Sequence, residues 1–136
     1  MTAADFGEVL CFWGWWDIPR SGVAMIDGEP HRFDCQFSEA LDDYPATYAL
    51  WPIDPAQLQE ELALWRRWVD WRSRCDSGQS LGPFENQPGY EAFRQRLQSL
   101  SSPPTNASLA IPEWKLDPNR SFDGCVPKHL ARWAAC

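Results

Sequence analysis

The sequence lacks the features of a membrane-spanning or secreted protein. No stretch approaches the roughly 20 apolar residues that a transmembrane helix needs, and the N-terminal residues show neither the basic region nor the apolar run of a secretory signal. The five cysteines are odd in number and scattered, which is not typical of a disulfide framework. We therefore expect a cytoplasmic protein without membrane contact and without structural disulfides.

Motifs of catalysis and metal binding are also missing. The sequence contains no nucleophile elbow, phosphate-binding loop, dinucleotide-binding glycine pattern or zinc-protease motif. The pairs His31–Cys35 and Cys125–His129 supply ligand types of a zinc site. However, strand residues four apart are separated by about 13 Å along the strand, and the CxxC spacing is absent. We predict no catalytic residue, no metal and no cofactor.

Acidic charge is concentrated in the first half of the chain. The net charge is −7, with −10 in residues 1 to 65 and +3 in residues 66 to 136. This balance argues against nucleic acid as the main ligand, because duplex binding depends on cations that neutralise phosphates. The acidic half suits a basic protein partner. The alternative is that these acids only keep the surface solvated.

Length and composition indicate one α+β domain. At 136 residues, with 44% apolar residues and nine tryptophans, the chain has the size and content of a single globular domain with an aromatic core. We predict a single domain over residues 1–136. It consists of an antiparallel sheet (8–53), helices (55–100) and an irregular C-terminal tail that packs on the domain (101–136).

The sheet is predicted as a four-stranded antiparallel meander. An apolar run at residues 8 to 16 suits a strand covered on both faces, and Asp27-Gly28 favours a two-residue hairpin turn. The returning strand is expected to bury His31, Phe33, Cys35 and Phe37 and to leave the residues between them in solvent. Residues 47 to 53 form the fourth strand, and Pro52 suggests that this strand lies at an edge.

A long amphipathic helix is predicted from Pro55 to about Cys75. Asp54 is its expected N-cap, with Gln57 closing a capping box. At 100° per residue the helix has one apolar stripe at Leu58, Leu62, Trp65 and Val69 and a second at Leu64, Trp68, Trp71 and Cys75. Either two elements pack on it or the second stripe is an interface. A second, shorter helix follows, with apolar residues at 90, 93, 97 and 100.

Five residues are candidate binding residues. Trp68 and Trp71 lie on the second stripe, where uncovered rings would form an interface. Asp42 and Asp43 lie in an acidic loop and present charge to a cation or a partner, or are simply solvated. His31 is either a histidine satisfied by a carbonyl group or part of a ligand pocket.

Four segments of the sequence resemble small bacterial proteins of unknown function. They are residues 13–22 (WGWWDIPRSG), 27–31 (DGEPH), 43–45 (DYP) and 51–55 (WPIDP). The likeness covers about residues 12 to 75. It implies a bacterial, cytosolic single domain and carries no activity or site.

Three functional hypotheses remain open from the sequence. The first is a non-catalytic protein-binding module, such as an immunity, antitoxin or inhibitor-like protein, because acidic surface and surplus aromatic residues occur without a catalytic motif. The second is a small enzyme or ligand-binding domain with a pocket near His31, using Tyr48 and a nearby thiol or carboxylate. The third is a self-associating structural protein with the second helix stripe as its dimer contact.

Overall fold

Six antiparallel strands form a closed barrel in the computed structural model, which describes residues 5–14, 18–117, 122–123 and 126–136. Two α-helices and a short 3-10 helix lie between the fourth and fifth strands. The elements in chain order are β1 (Gly7–Trp13), β2 (Ser21–Ile26), β3 (Glu29–Asp34), β4 (Tyr48–Pro52), α1 (Pro55–Asp76), a 3-10 helix (Phe84–Asn86), α2 (Tyr90–Leu100), β5 (Ser108–Leu116), β6 (Phe122–Asp123), β7 (Val126–Pro127) and β8 (His129–Ala135).

The predicted four-stranded meander with an irregular tail is wrong, although the mixed α+β character holds. The order around the barrel is β1-β2-β3-β4-β5-β8, and β6 and β7 form a separate two-stranded sheet. The segment expected to be irregular supplies β5 and β8, which pair with each other over seven positions and close the barrel against β4 and β1. Closure removes both edges of the meander and covers its apolar inner face.

The hairpin between β2 and β3 is confirmed. Asp27 and Gly28 have φ angles of 52° and 80°, which a two-residue turn of this type requires. Ile26 pairs with Glu29, as the turn predicts. The edge position predicted for β4 is wrong, because β4 pairs with both β3 and β5. Pro52 is tolerated there because the ladder to β5 ends at Leu50.

Aromatic rings fill the barrel interior. Phe33 lies 5.4 Å from Trp133, 5.5 Å from Trp114 and 6.1 Å from Tyr48, measured between ring centroids. The Tyr48 hydroxyl donates a hydrogen bond to the carbonyl of Pro19 at 2.7 Å, so its polar atom is satisfied within the core. The strands from the C-terminal segment therefore bring two of the largest rings in this core.

Helix α1 packs on the outside of the barrel, on the face of β3 that was predicted to be in solvent. Phe33 points inward, whereas Arg32 points outward and is completely buried beneath the helix. Phe37, expected in the core, is 50% exposed. A register irregularity in β1 between Val9 and Cys11 is consistent with a β-bulge.

The predicted bounds and cap of α1 agree closely with the structure. Helix α1 ends at Asp76, and the Asp54 side chain accepts a hydrogen bond from the backbone N–H of Gln57 at 2.8 Å. The capping box predicted for Gln57 is wrong, because its side chain donates to Glu61 (3.2 Å) and does not bond to the backbone of Asp54. Of the helices that the structure describes, none has the length and apolar character needed to cross a membrane.

Candidate functional site

A buried ion pair joins α1 to the barrel. Nε of Arg32 lies 2.9 Å and 3.0 Å from the two carboxylate oxygens of Glu61, and both side chains are 0% exposed. Nη1 of Arg32 donates to the Ser21 hydroxyl (2.7 Å) and to the Phe33 carbonyl (3.2 Å). Sequence patterning placed Arg32 in solvent and predicted that Glu61 pairs with helix arginines on an exposed face, whereas Glu61 is buried. The only sequence signal for this ion pair was that an acidic residue, Glu61, interrupts the apolar stripe of α1.

Two further ionisable groups lie close to this ion pair. Burial raises the pKa of the Asp34 carboxyl, an effect that Arg32 and hydrogen bonds from Gln36 and Ser21 oppose. Burial likewise raises the pKa of the Cys11 thiol to about 12. A thiol held in its neutral form is a poor nucleophile. Because Arg32, Glu61 and Cys11 are all sealed from solvent, this polar centre holds the fold together and is not accessible to a substrate.

The most accessible candidate site is the loop of residues 36–46, which we call the acidic loop. Ser38 and Asp43 form a two-way backbone bridge, with N···O distances of 2.9 Å and 3.3 Å. Asp42 has a φ of 51°, which Asp tolerates better than most residues. Oδ1 of Asp43 accepts a hydrogen bond from the Tyr44 N–H at 2.7 Å. The loop therefore has a defined local conformation.

Aromatic contacts attach the acidic loop to the barrel. The ring of Tyr44 lies 5.5 Å from that of Phe37, and the guanidinium of Arg20 lies 4.0 Å above the Tyr44 ring. The Cys35 thiol donates to the carbonyl of Pro45 at 3.4 Å. These contacts hold the base of the loop.

Apolar and acidic side chains share the surface of this loop. Phe37 is 50% exposed and Leu41 is 62% exposed, although both are large and apolar. Glu39, Asp42 and Asp43 are exposed as well, and residues 36–46 contain no lysine or arginine. The sequence identified the two aspartates, but it did not identify Phe37 and Leu41 as exposed neighbours.

The chain itself contacts Trp68 and Trp71. Trp68 stacks on Trp65 at 5.5 Å, and Trp71 lies 5.3 Å from Phe84 of the 3-10 helix. The indole N–H of Trp71 donates to the carbonyl of Gly82 at 3.2 Å. Both tryptophans are half-buried. Segments between α1 and α2 thus cover part of the second stripe, and a binding role for the two rings stays a prediction.

His31 lies near the beginning of β3, whereas the acidic loop follows the end of that strand. Its Nδ1 is 3.0 Å from the carbonyl oxygen of Glu29, and the ring is half-buried. Tyr48, its proposed pocket partner, is directed into the core. The structure therefore does not bring the predicted binding residues into one site.

Shallow clefts of about 270, 290 and 190 Å³ occur on the described surface, and His31 does not line any of these clefts. The first lies beside the turn between β2 and β3, with Trp133 among its lining residues. Within the described ranges, no three His, Cys, Asp or Glu side chains are grouped as a metal site would require. Cys125, one of the possible ligands considered above, lies outside the described residues.

Comparisons with protein-family models, with curated proteins and with solved structures find no match to this chain. A functional assignment therefore depends on the surface of the molecule itself.

Proposed function

We propose that the protein is a non-catalytic binding module of the cytoplasm that docks a basic protein partner on its acidic loop. The observation that supports this proposal is the combination, on one ordered loop, of the exposed apolar side chains Phe37 and Leu41 with the carboxylates of Asp42 and Asp43. Immunity, antitoxin and inhibitor-like proteins are the classes that fit such a module.

Each part of the loop has a separate role in this proposal. Exposed apolar side chains beside charged ones are typical of binding surfaces, where the apolar groups supply affinity on desolvation. The carboxylates attract a basic partner over longer range and increase the association rate. The bridge between Ser38 and Asp43 reduces the entropy that the loop loses on binding.

The charge of the chain supports a protein partner over nucleic acid. The net charge is −7, and the acidic loop carries no base that would neutralise a phosphate. A basic protein surface, rich in lysine or arginine, is complementary to it in sign.

A double substitution tests the proposal without disturbing the loop. Asp42→Asn with Asp43→Asn removes two charges, while asparagine tolerates the positive φ at residue 42 and still accepts the hydrogen bond from the Tyr44 N–H. Asp70→Asn with Asp76→Asn is the matched control, since both acids are exposed on α1. Affinity capture from a cell extract, analysed by mass spectrometry, measures what each variant retains.

We expect the wild-type protein and the control to retain the same basic protein and to release it at high salt. The loop variant should retain it at least tenfold less. Equal recovery on the loop variant and the control would contradict a role for the loop, as would a captured set without a basic protein.

A further inference from the structure

The outer side of β5 and β8 is exposed except near Phe6, whose ring centroid lies 4.2 Å from Nζ of Lys115 and 4.6 Å from Cζ of Arg132. Helix α1 covers the outside of the barrel around Arg32 of β3 and also packs on β1, the neighbour of β8. On β5, Leu109 is 58% exposed and Ile111 is 44% exposed. We call the outward side chains of these two strands the β5–β8 face; they are Leu109, Ile111, Glu113, Lys115, Leu130, Arg132 and Ala134.

The register of the two strands arranges this face in rows. Ile111 lies opposite Ala134, and Glu113 lies opposite Arg132. Glu113 and Arg132 form an ion pair, in which both side chains remain about half exposed. The face therefore has an apolar row beside a row with one acid and one base.

We propose that the β5–β8 face joins two copies of this chain around a two-fold axis that runs parallel to the strands. Such an axis places β5 of one copy over β8 of the other. Ile111 then meets Ala134 of the second copy, and Glu113 meets Arg132 of the second copy. Sheets packed face to face are about 10 Å apart, so side chains of this length reach across.

Charge complementarity selects a second copy as the occupant. Every Glu113 gains an arginine and every Arg132 gains a glutamate, so the two ion pairs become a ring of four alternating charges. The basic partner proposed for the acidic loop does not suit this face, because Lys115 and Arg132 outnumber Glu113. The two surfaces therefore suit different partners.

The size of the face indicates a weak dimer. Strands of nine and seven residues, at about 3.3 Å per residue and about 4.8 Å between strands, present roughly 300 Å². Stable interfaces bury about 800 Å² per partner. We therefore expect a weak dimer, with a dissociation constant on the order of 100 µM.

Sedimentation velocity over a range of concentrations tests the dimer. The wild-type protein should shift from monomer toward dimer as its concentration rises from about 10 to about 500 µM, a range that spans the expected dissociation constant. Ile111→Lys should leave only monomer, because in a dimer the lysine would be buried against Ala134 of the second copy. Leu41→Lys is the control on the acidic loop and should associate as the wild type does. A wild-type monomer at every concentration would overturn the proposal, as would a dimer that Ile111→Lys does not change.

Charge reversal tests the geometry. Glu113→Arg and Arg132→Glu should each weaken self-association at least tenfold, because each places like charges across the axis. A mixture of the two variants should restore the dimer, since the arginine introduced in the first variant then faces the glutamate introduced in the second. Failure of the mixture to associate would overturn this two-fold arrangement. Ile111 lies on β5 beside the beginning of β4 and is not part of the acidic loop. Capture of a basic partner by Ile111→Lys therefore separates this proposal from the proposed function.

Discussion

Replacing Glu61 by glutamine is expected to destabilise the protein strongly. Glutamine has nearly the same shape and keeps an oxygen that accepts from Nε of Arg32, but it removes the only charge that contacts this buried guanidinium among the described residues. Both side chains are fully buried, so water cannot replace the lost carboxylate. The variant isolates the electrostatic part of the interaction.

The expected loss in the free energy of unfolding is about 3 kcal/mol. Removing one partner of a buried ion pair costs about 3 to 5 kcal/mol, because it leaves an uncompensated charge. The lower value applies because the amide oxygen still accepts a hydrogen bond. Since domains of this size are stable by about 5 to 15 kcal/mol, the variant should lose a large part of its stability. Its Tm should fall by about 10 °C.

Urea unfolding followed by tryptophan fluorescence at pH 7 measures the loss. Asp76→Asn is the control, because the ion pair between Asp76 and Arg72 is about half exposed and such pairs contribute about 0 to 1 kcal/mol. The double variant Arg32→Met with Glu61→Leu should recover most of the stability, since apolar residues of similar volume replace the buried charges. If Glu61→Gln costs no more than Asp76→Asn, the reasoning is refuted.

Two further predictions concern the barrel. Burial raises the pKa of the Cys11 thiol to about 12 in the folded protein, against an ordinary value of 9.0. Stability should therefore be retained below pH 9 and lost as the pH rises from 9 toward 12, by about 1.4 kcal/mol per pH unit. Unfolding measurements at pH 8 to 11 should show that Cys11→Ala removes this dependence of stability on pH. If the free energy of unfolding falls equally steeply with pH in the variant and in the wild type, the prediction is wrong. Gly22→Ala should cost about 3 kcal/mol by overpacking, because its Cβ would lie 2.1 Å from the carbonyl oxygen of Cys11. Gly28→Asn is the control in the same measurement, because Gly28 has open space around it and asparagine tolerates the left-handed conformation.

Elements whose sequence signals lie within a few residues of each other were predicted correctly. The turn at Asp27-Gly28 and the helix after Asp54 depend on residues a few positions apart, so their register and limits can be read from the sequence. The closing strands were missed because Pro112 and the short alternations on either side of it resemble irregular chain. Their strand conformation is stabilised by pairing with each other and with distant strands.

The candidate site was predicted only in part, for a similar reason. Asp42 and Asp43 were recognisable as loop acids from their neighbours in the sequence. Phe37 was assigned to the core by alternation, yet β3 ends at Asp34, and after that residue alternation no longer decides which way a side chain points.

The sequence by itself determined one hairpin, the limits of the first helix, the presence of the second, the aromatic character of the core and the acidic charge of the first half. Only the tertiary structure decided that the sheet closes and that α1 lies over Arg32 and not over Phe33. Local patterns report which residues alternate, whereas burial of a charge depends on a partner far along the chain. Glu61 lies 29 residues from Arg32, and this separation is the reason why alternation alone assigned the wrong face to solvent.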